Sequence, residues 1–283
     1  MNWYGNKGSY STAPEICAKN IASPDTDRLC RTEDLIAAGL VKDRAEYLAA
    51  VRNTAFYLAE KGIAEALSEK DTGLLQMVRM LDELDRVINL LTERILEWHQ
   101  GETPSSSRKY TRAGADKMLQ KLAKNASNPA MKPVAREILS LNALRAKLTK
   151  EVSAEADKVL PNMSALVGGL VAARLVSRAG GLKDISRMAS SSIQVLGAES
   201  ALFSHIRTGT PSPKHGLIFQ HRRVHNAPRE IRGRVARVLA AKLAAASRLD
   251  YFRGVSVPEF IESANKKIDD LMNGGEEDKT RLR

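Results

Sequence analysis

The strongest constraint on the fold is a run of apolar residues at helical spacing between Leu74 and Trp98. Neighbouring members of the run are three or four residues apart, close to a heptad repeat, and charged residues fill many of the other positions. A β-strand cannot use this period, because it would distribute the same side chains over both faces of a sheet. We therefore predict one long amphipathic helix with this apolar stripe: Leu74, Val78, Leu81, Leu84, Ile88, Leu91, Ile95 and Trp98.

A second long amphipathic helix is predicted over residues 133–160, after a turn or flexible tip at 101–108 and a weaker helix at 114–125. Two long amphipathic helices with a short connection most simply fold back as an antiparallel coiled-coil hairpin. The period alone leaves two helices of an ordinary bundle open as an alternative. The apolar stripe of the second helix is Val134, Ile138, Leu141, Leu144, Leu148, Val152, Ala156 and Val159.

The C-terminal part of the chain is predicted to be helical as well. Alternation of the kind that strands show is found only, and weakly, at residues 217–219. Glycines 180 and 181 are placed to end a helix over 165–179. We therefore predict an all-α fold, with further helices at 182–188, 190–196, 199–206, 229–252 and 258–273.

The ends of the chain carry weaker signals. Residues 1–30 have little periodicity, residues 32–70 read as two or three helices, and the tail from residue 274 is predicted to be disordered. The expected organisation is a small N-terminal domain at 1–72, a coiled-coil domain at 73–160, a helical domain at 161–273 and a tail at 274–283.

The charge of the chain is positive and unevenly placed. Lys and Arg number 44 against 33 Asp and Glu, a net charge of +11. Between His205 and Arg253 there are eleven basic residues against the two acids Glu230 and Asp250, which is nearly the whole net charge. Guanidinium groups suit phosphate, because they are planar and permanently charged. We expect a polyanionic partner, with nucleic acid first and an anionic membrane second.

No constellation of residues predicts catalysis or a cofactor. The chain has neither a GxSxG nor a GxGxxG motif, and its histidines lack the facing carboxylates and third ligand of a zinc site. Cys17 and Cys30 form no CxxC pair, which is typical of incidental thiols in a reducing, cytoplasmic setting. The apolar stretch 159–182 is interrupted by Arg174 and Arg178, so we predict a buried helix and not a membrane span.

Several long segments, in order, resemble the Nop-domain family. They are LPNMSALVGGLV at 160–171, IQVLGAESALF at 193–203, RTGTPSPKHGLIFQ at 207–220, IRGRVARVLAAKLAAASRLDYF at 231–252 and, in the first long helix, LDELDRVINLLTERILEW at 81–98. The resemblance covers about residues 45–270. Ser200 departs from the family pattern, where Lys commonly follows GAE, and residues 99–106 replace an aromatic run at the tip of the coiled coil.

The resemblance implies a non-catalytic scaffold of the box C/D small ribonucleoprotein, as in archaeal members of the family. In that particle a guide RNA directs 2′-O-methylation of a target RNA. The implied partners are a kink-turn guide RNA, a ribosomal-like kink-turn protein, the methyltransferase fibrillarin at the N-terminal domain, and a second copy of the chain. The alternative is a coiled-coil interaction protein whose basic part binds nucleic acid without specificity.

Three sets of residues are predicted to make these contacts. The charge pattern indicates a phosphate-binding surface on the helix that carries Arg232, Arg234, Arg237 and Lys242, beside a basic loop. The resemblance selects some of these positions and adds others, including the contacts with the kink-turn protein. The predicted RNA surface is Arg207, Lys214, His215, Gln220, Arg222, Arg223, Arg237, Lys242 and Arg248. The predicted contacts with the kink-turn protein are Gln194, Glu199 and Ser200. The predicted dimerisation residues are Leu81, Leu84, Ile88, Leu91, Ile95, Leu141, Leu144 and Leu148.

Overall fold

A computed structural model describes residues 13–17, 32–37, 39–103 and 111–280. These residues contain α-helices and one 3-10 helix but no β-strand, which confirms the all-α fold class. None of the helices in these ranges is long and apolar enough to cross a lipid bilayer. The chain divides into two compact units, Met1–Thr72 and Gly73–Arg283.

The first unit contains a helical turn at residues 14–17 and the helices α1 (Thr32–Ala37) and α2 (Arg44–Leu67). A reciprocal cap begins α2: the Asp43 carboxylate accepts from the Glu46 amide at 2.8 Å, and Glu46 accepts from the Lys42 amide at 2.6 Å. Most of the predicted loosely ordered segment 1–30 lies outside the described residues.

The second unit begins with the two long predicted helices. They are α3 (Thr72–Glu102) and α5 (Met131–Val159), and α4 (Arg112–Asn125) precedes α5. The start of α3 shares a core with the end of α5, for example Leu74 with Ala156. The far end of α3 shares a second core with α4 and the start of α5, for example Ile95 with Met131. The two long helices are therefore antiparallel, as predicted, while most of the predicted tip at 101–108 lies outside the described residues.

The rest of the unit is a compact group of shorter helices around one long helix. They are α6 (Pro161–Val167), α7 (Gly169–Ala179), α8 (Leu182–Arg187), α9 (Ser190–Val195), α10 (Glu199–Thr208), a 3-10 helix (Leu217–Gln220), α11 (Arg222–His225), α12 (Arg229–Phe252) and α13 (Pro258–Thr280).

The structure differs from the predicted helix bounds at two points, and it also settles the conformation of residues 217–219. The predicted helix 165–179 is broken at Gly168, whose φ of 83° an L-residue rarely adopts. The weak strand signal at residues 217–219 belongs to the 3-10 helix. The last helix does not end at Asn273 but continues to Thr280, through the predicted disordered tail.

The hairpin base and the C-terminal helices share one hydrophobic core, although they were predicted as separate domains meeting at residue 160. Buried residues of α3 and α5, such as Val78 and Val152, belong to the same core as Leu175 of α7 and Leu239 of α12. The shared core explains why the two parts form a single unit.

Two close contacts fix α6 and α7. The Asp250 carboxylate on α12 accepts from the amides of Asn162 and Met163 at 2.9 Å each, so it caps α6 from 88 residues away in sequence. Gly169 lies so near α5 that a β-carbon there would stand 2.6 Å from the Ser153 carbonyl oxygen. The backbones of α7 and α5 are therefore in direct contact.

Candidate nucleic-acid interface

Helix α12 presents a basic stripe to solvent. At about 100° per residue, Arg234, Arg237 and Arg248 fall within one narrow sector of the helix, and all three are exposed. Lys242 lies about a third of a turn away, where its ammonium stands 5.6 Å from the centre of the Phe260 ring. Arg237 and Arg248 therefore share an exposed face with Arg234, whereas Lys242 packs against α13.

The loop before the 3-10 helix is held against α9 by three hydrogen bonds. The Gly216 and Leu217 amides donate to the carbonyls of Gln194 (2.9 Å) and Leu196 (2.8 Å). The Gln194 side-chain amide donates to the Lys214 carbonyl at 2.8 Å. A β-carbon at Gly216 would stand 2.1 Å from the Leu196 carbonyl oxygen, so this approach requires glycine. The loop is therefore rigidly positioned in front of α12.

A cleft of about 530 Å³ separates this loop from α12. The Lys214 side chain crosses one wall, with its Cδ 3.6 Å from the position that a β-carbon at Gly233 would take. Lys214, Arg234 and Arg237 carry three positive charges, against the single carboxylate of Glu230. Within the described ranges these three cations make no salt bridge, so they remain available to an anion. The cleft is lined by Ser191, Gln194, Val195, Ser212, Pro213, Lys214, Glu230, Gly233, Arg234 and Arg237.

An aromatic cluster supports the floor of the loop. The His215 and Phe219 rings stack with centroids 4.5 Å apart, and the Arg232 guanidinium lies 5.4 Å from the Phe219 centroid. Burial lowers the pKa of His215, and the charges of Arg232 and Lys214 add to this. The lowered pKa favours the neutral form of His215, and its ring packs against Phe219. Arg232 donates to the Ala227 carbonyl at 2.9 Å and has a structural role too.

Two other predicted RNA contacts are tied to their own chain. The Arg223 guanidinium donates to Asn265 and, at 3.1 Å, to the Asp269 carboxylate of α13. The Gln220 side chain accepts from Arg174 at 3.2 Å and lines a different cleft, about 510 Å³, between α3 and α7. These two side chains do not join Lys214 and Arg237 in the main cleft.

The remaining predicted RNA contacts are exposed but do not line the cleft. Arg207, at the end of α10, and Arg222, at the start of α11, are exposed. Arg248 is exposed as well and donates to the Ser186 carbonyl at 3.2 Å.

The predicted protein-contact residues lie at the start of α10. The Glu199 carboxylate accepts hydrogen bonds from Nε and Nη2 of Arg178, at 3.1 and 2.9 Å, and these bonds lower the pKa of Glu199 to about 2. Ser200 is exposed, whereas the Gln194 side chain is occupied by the Lys214 carbonyl. Helix α10 buries no residue, which leaves Phe203 65% and Ile206 70% exposed.

Most of the predicted dimerisation residues are buried within the hairpin of this chain. Leu81, Ile88 and Ile95 are at most 4% exposed, because α3 turns this stripe toward α4 and α5. Leu84, Leu91, Leu141 and Leu148 pack partly against the same cores. Of the predicted set, Leu144 is open to solvent, at 53% exposure.

Arg234 lines the cleft but is not one of the nine residues selected as RNA contacts, although the charge pattern includes it in the basic surface of this helix. Its position was visible in the sequence, because it lies three residues before Arg237 on the same helix. Ser191 and Ser212 carried no signal in the sequence, since they reach the cleft only through the contact between the loop and α9. Among the described residues, no group of His, Cys, Asp and Glu side chains is arranged to hold a metal ion.

Comparison with known proteins matches residues 86–273 to the Nop family, described as "snoRNA binding domain, fibrillarin". An uncharacterized NOP5 family protein of Methanocaldococcus jannaschii is 32% identical over 249 residues, which cover 76% of this chain and 60% of that protein. Nucleolar protein 56 of Caenorhabditis elegans is 29% identical over 71% of this chain and 50% of its own length. The chain thus spans about half to three fifths of these relatives.

A solved structure gives the same result for the fold. The matched chain comes from a crystal structure of a fibrillarin/Nop5p complex, with a TM-score of 0.54 and 29% sequence identity. The likeness covers 95% of this chain and 98% of the matched chain. Because the family model matches well over half of the sequence, the chain belongs to the Nop family.

Proposed function

We propose that this protein is a non-catalytic scaffold of a box C/D small ribonucleoprotein. It holds a kink-turn guide RNA together with a ribosomal-like kink-turn protein and recruits the methyltransferase fibrillarin, which carries out the 2′-O-methylation. The observation that carries the proposal is the cleft of Lys214, Arg234 and Arg237, which lies within the residues matched by the snoRNA-binding family model.

The chemistry of the cleft supports an RNA backbone as its ligand. Two guanidinium groups and one ammonium face a space large enough for a phosphate and part of its sugar. The Ser191 and Ser212 hydroxyls add neutral hydrogen-bonding groups to the lining. Such contacts position an RNA without reading its bases, so a fold such as the kink turn would be selected through its shape.

The exposed face of α10 supports a protein partner beside the RNA. At helical spacing, Glu199, Phe203 and Ile206 fall on one side of this helix. An apolar patch next to a carboxylate–guanidinium pair is the mixture that protein interfaces use. We propose this face as the contact for the kink-turn protein, with Ser200 at its edge.

The first unit is the proposed docking site for the methyltransferase. The solved structure that this chain resembles is that of a fibrillarin/Nop5p complex. In this chain, α2 exposes an apolar stripe of Leu48, Phe56, Ile63 and Leu67, each at least half exposed. An exposed apolar stripe of this kind provides the apolar centre that a stable protein interface needs.

Self-association is proposed through the outer face of the hairpin. Met80, Val87 and Leu90 of α3 recur at spacings of seven and three and are 61%, 44% and 55% exposed. Leu144 of α5 is exposed as well. In an antiparallel pair these positions fall on the same side of the hairpin, so a second copy can cover both helices at once.

Salt-dependent binding of a kink-turn RNA tests the role of the cleft. Each lost phosphate contact lowers the slope of log K against log salt by about 0.7 to 0.9, so Arg234→Ala with Arg237→Ala should lower it by about 1.5. The matched control is Lys147→Ala with Lys158→Ala, which removes the same charge from the exposed surface of α5, where both lysines pair with glutamates. An equal effect of the two double variants, or no effect of the first, would contradict the proposed site.

A further inference from the structure

The hairpin carries a second basic surface at the end remote from the cleft. Residues 111–136 contain six basic residues and one acid, Asp116. This segment comprises α4 and the start of α5. The surplus is comparable in density to that of the segment 205–253, but it belongs to a different part of the second unit.

The lysines of α4 form one stripe that points away from the hairpin. Lys117, Lys121 and Lys124 are spaced by four and three residues, so they lie above one another on the helix, and all are exposed. The opposite side of α4 buries Leu119 and Leu122 against α3 and α5. The lysine stripe therefore faces solvent along about two turns of α4.

Acidic and basic groups are separated at this end of the hairpin. Glu93 and Glu97 of α3 and Asp116 of α4 line a groove of about 480 Å³ between these helices. None of the three α4 lysines makes a salt bridge in the part of the chain that the structure describes. A solvated helix face usually mixes both signs, as α5 does with Lys147–Glu151 and Lys158–Glu155. The α4 stripe instead presents one sign only.

We infer that the face formed by Lys117, Lys121 and Lys124 is a second RNA-binding site, which contacts phosphates of the same RNA beyond the segment held in the cleft. The inference rests on the proposed function. From Leu81, at the base of the hairpin, to the end of α3 at Glu102 the helix rises roughly 30 Å, at about 1.5 Å per residue. An RNA that occupies both sites therefore follows the long axis of the hairpin.

Lysine suits this role because the site has no pocket. An exposed ammonium on a flexible stem attracts a phosphate as a point charge and needs no fixed geometry. The α4 stripe would thus add affinity and direction without sequence selection, whereas the cleft contributes the two positioned arginines, Arg234 and Arg237.

The test compares two RNAs: a short kink-turn RNA, and the same RNA with a single-stranded tail long enough to span the hairpin. The unaltered protein should bind the tailed RNA more tightly, with a salt slope steeper by about 2 for three phosphate contacts. A triple variant should abolish this gain: Lys117→Gln with Lys121→Gln and Lys124→Gln. Its affinity for the tailed RNA should fall about tenfold near physiological salt, and its affinity for the short RNA should stay unchanged.

The control variant Lys147→Gln with Lys150→Gln and Lys158→Gln removes the same charge from α5 and should keep the gain. Acetylation footprinting is the second measurement. The tailed RNA should protect the α4 lysines from acetylation, and the short RNA should not. A gain that survives the α4 substitutions, or a tail that adds nothing to the unaltered protein, would overturn the inference. If the short RNA binds no better than a plain duplex while the tail still adds affinity through α4, the proposed function fails and the second site stands.

Discussion

Replacement of Asp250 by Ala should destabilise the second unit strongly. The carboxylate is 3% exposed and accepts three hydrogen bonds: from the Asn162 amide (2.9 Å), the Asn162 side chain (2.7 Å) and the Met163 amide (2.9 Å). Asn162 in turn donates to the Val255 carbonyl and accepts from the Val257 amide, both at 2.8 Å. One carboxylate thus caps α6 and anchors the connection between α12 and α13.

The magnitude follows from the donors left without an acceptor. A buried donor without a partner costs about 1 kcal/mol or more, so three of them cost about 3 to 5 kcal/mol. Burial raises the pKa of Asp250 above its ordinary value. Because the buried carboxylate is itself desolvated, its removal offsets part of this cost, and we expect a net effect at the lower end of the range, about 3 kcal/mol. For a unit of this size, roughly 2–4 °C per kcal/mol predicts a melting temperature lower by about 6–12 °C.

Calorimetry of the unaltered protein, Asp250→Ala and Asp157→Ala provides the assay. Asp157 is an exposed acid on α5, and its replacement should change stability by no more than about 0.5 kcal/mol. Asn162→Ala should cost a similar amount to Asp250→Ala, and the double variant little more than either, because both remove the same network. A fall of less than about 2 °C for Asp250→Ala would refute the capping role.

Three further predictions concern single positions. Gly216→Ala should weaken kink-turn RNA binding and speed hydrogen exchange of the Leu217 amide, because its β-carbon would collide with the Leu196 carbonyl and loosen the loop. The control Gly73→Ala, where nothing lies within 4 Å of the added β-carbon, should do neither. Gly169→Ala should lower the free energy of unfolding by about 1–3 kcal/mol in denaturant titration, because α7 must move away from α5. Glu199→Gln should lower the free energy of unfolding by its full amount above the ordinary carboxyl pKa of 4.5, and this loss should disappear as the pH falls toward about 2. A loss that grows over this pH range would contradict a stabilising ion pair between Glu199 and Arg178.

The long helices were predictable because their signals are local. The spacing of apolar residues is sufficient to define α3 and α5. Residues 229–252 contain no proline, so a helix of 24 residues could be predicted there as well. The break at Gly168 was not predictable, because the surrounding segment is uniformly apolar and glycine is tolerated within helices. The capping of α6 by Asp250 was also beyond reach, since it joins residues 88 positions apart.

The sequence indicated the basic segment of the candidate site but not which of its side chains line the cleft. A surplus of arginines marked the segment that contains most of the cleft residues, yet the sequence cannot show which arginine the fold uses internally. Arg223 reaches Asp269 on α13, and Arg232 reaches the Ala227 carbonyl, whereas Arg234 and Arg237 stay in the cleft. The difference depends on which face of α12 and α11 packs inward, and only the tertiary structure determines that. For the same reason, the apolar stripe predicted to pair two copies is largely used within one hairpin.

The most direct test of the account is an electrophoretic shift with a box C/D kink-turn RNA, in the presence and absence of the small kink-turn protein. We predict a further shift only when that protein is present, since RNA and protein together would form the surface that the cleft and α10 bind. Loss of this shift in the Arg234→Ala, Arg237→Ala variant would place the contact in the cleft. Equal binding to a plain duplex, unaffected by the small protein, would contradict the account and leave a coiled-coil protein that binds nucleic acid without specificity.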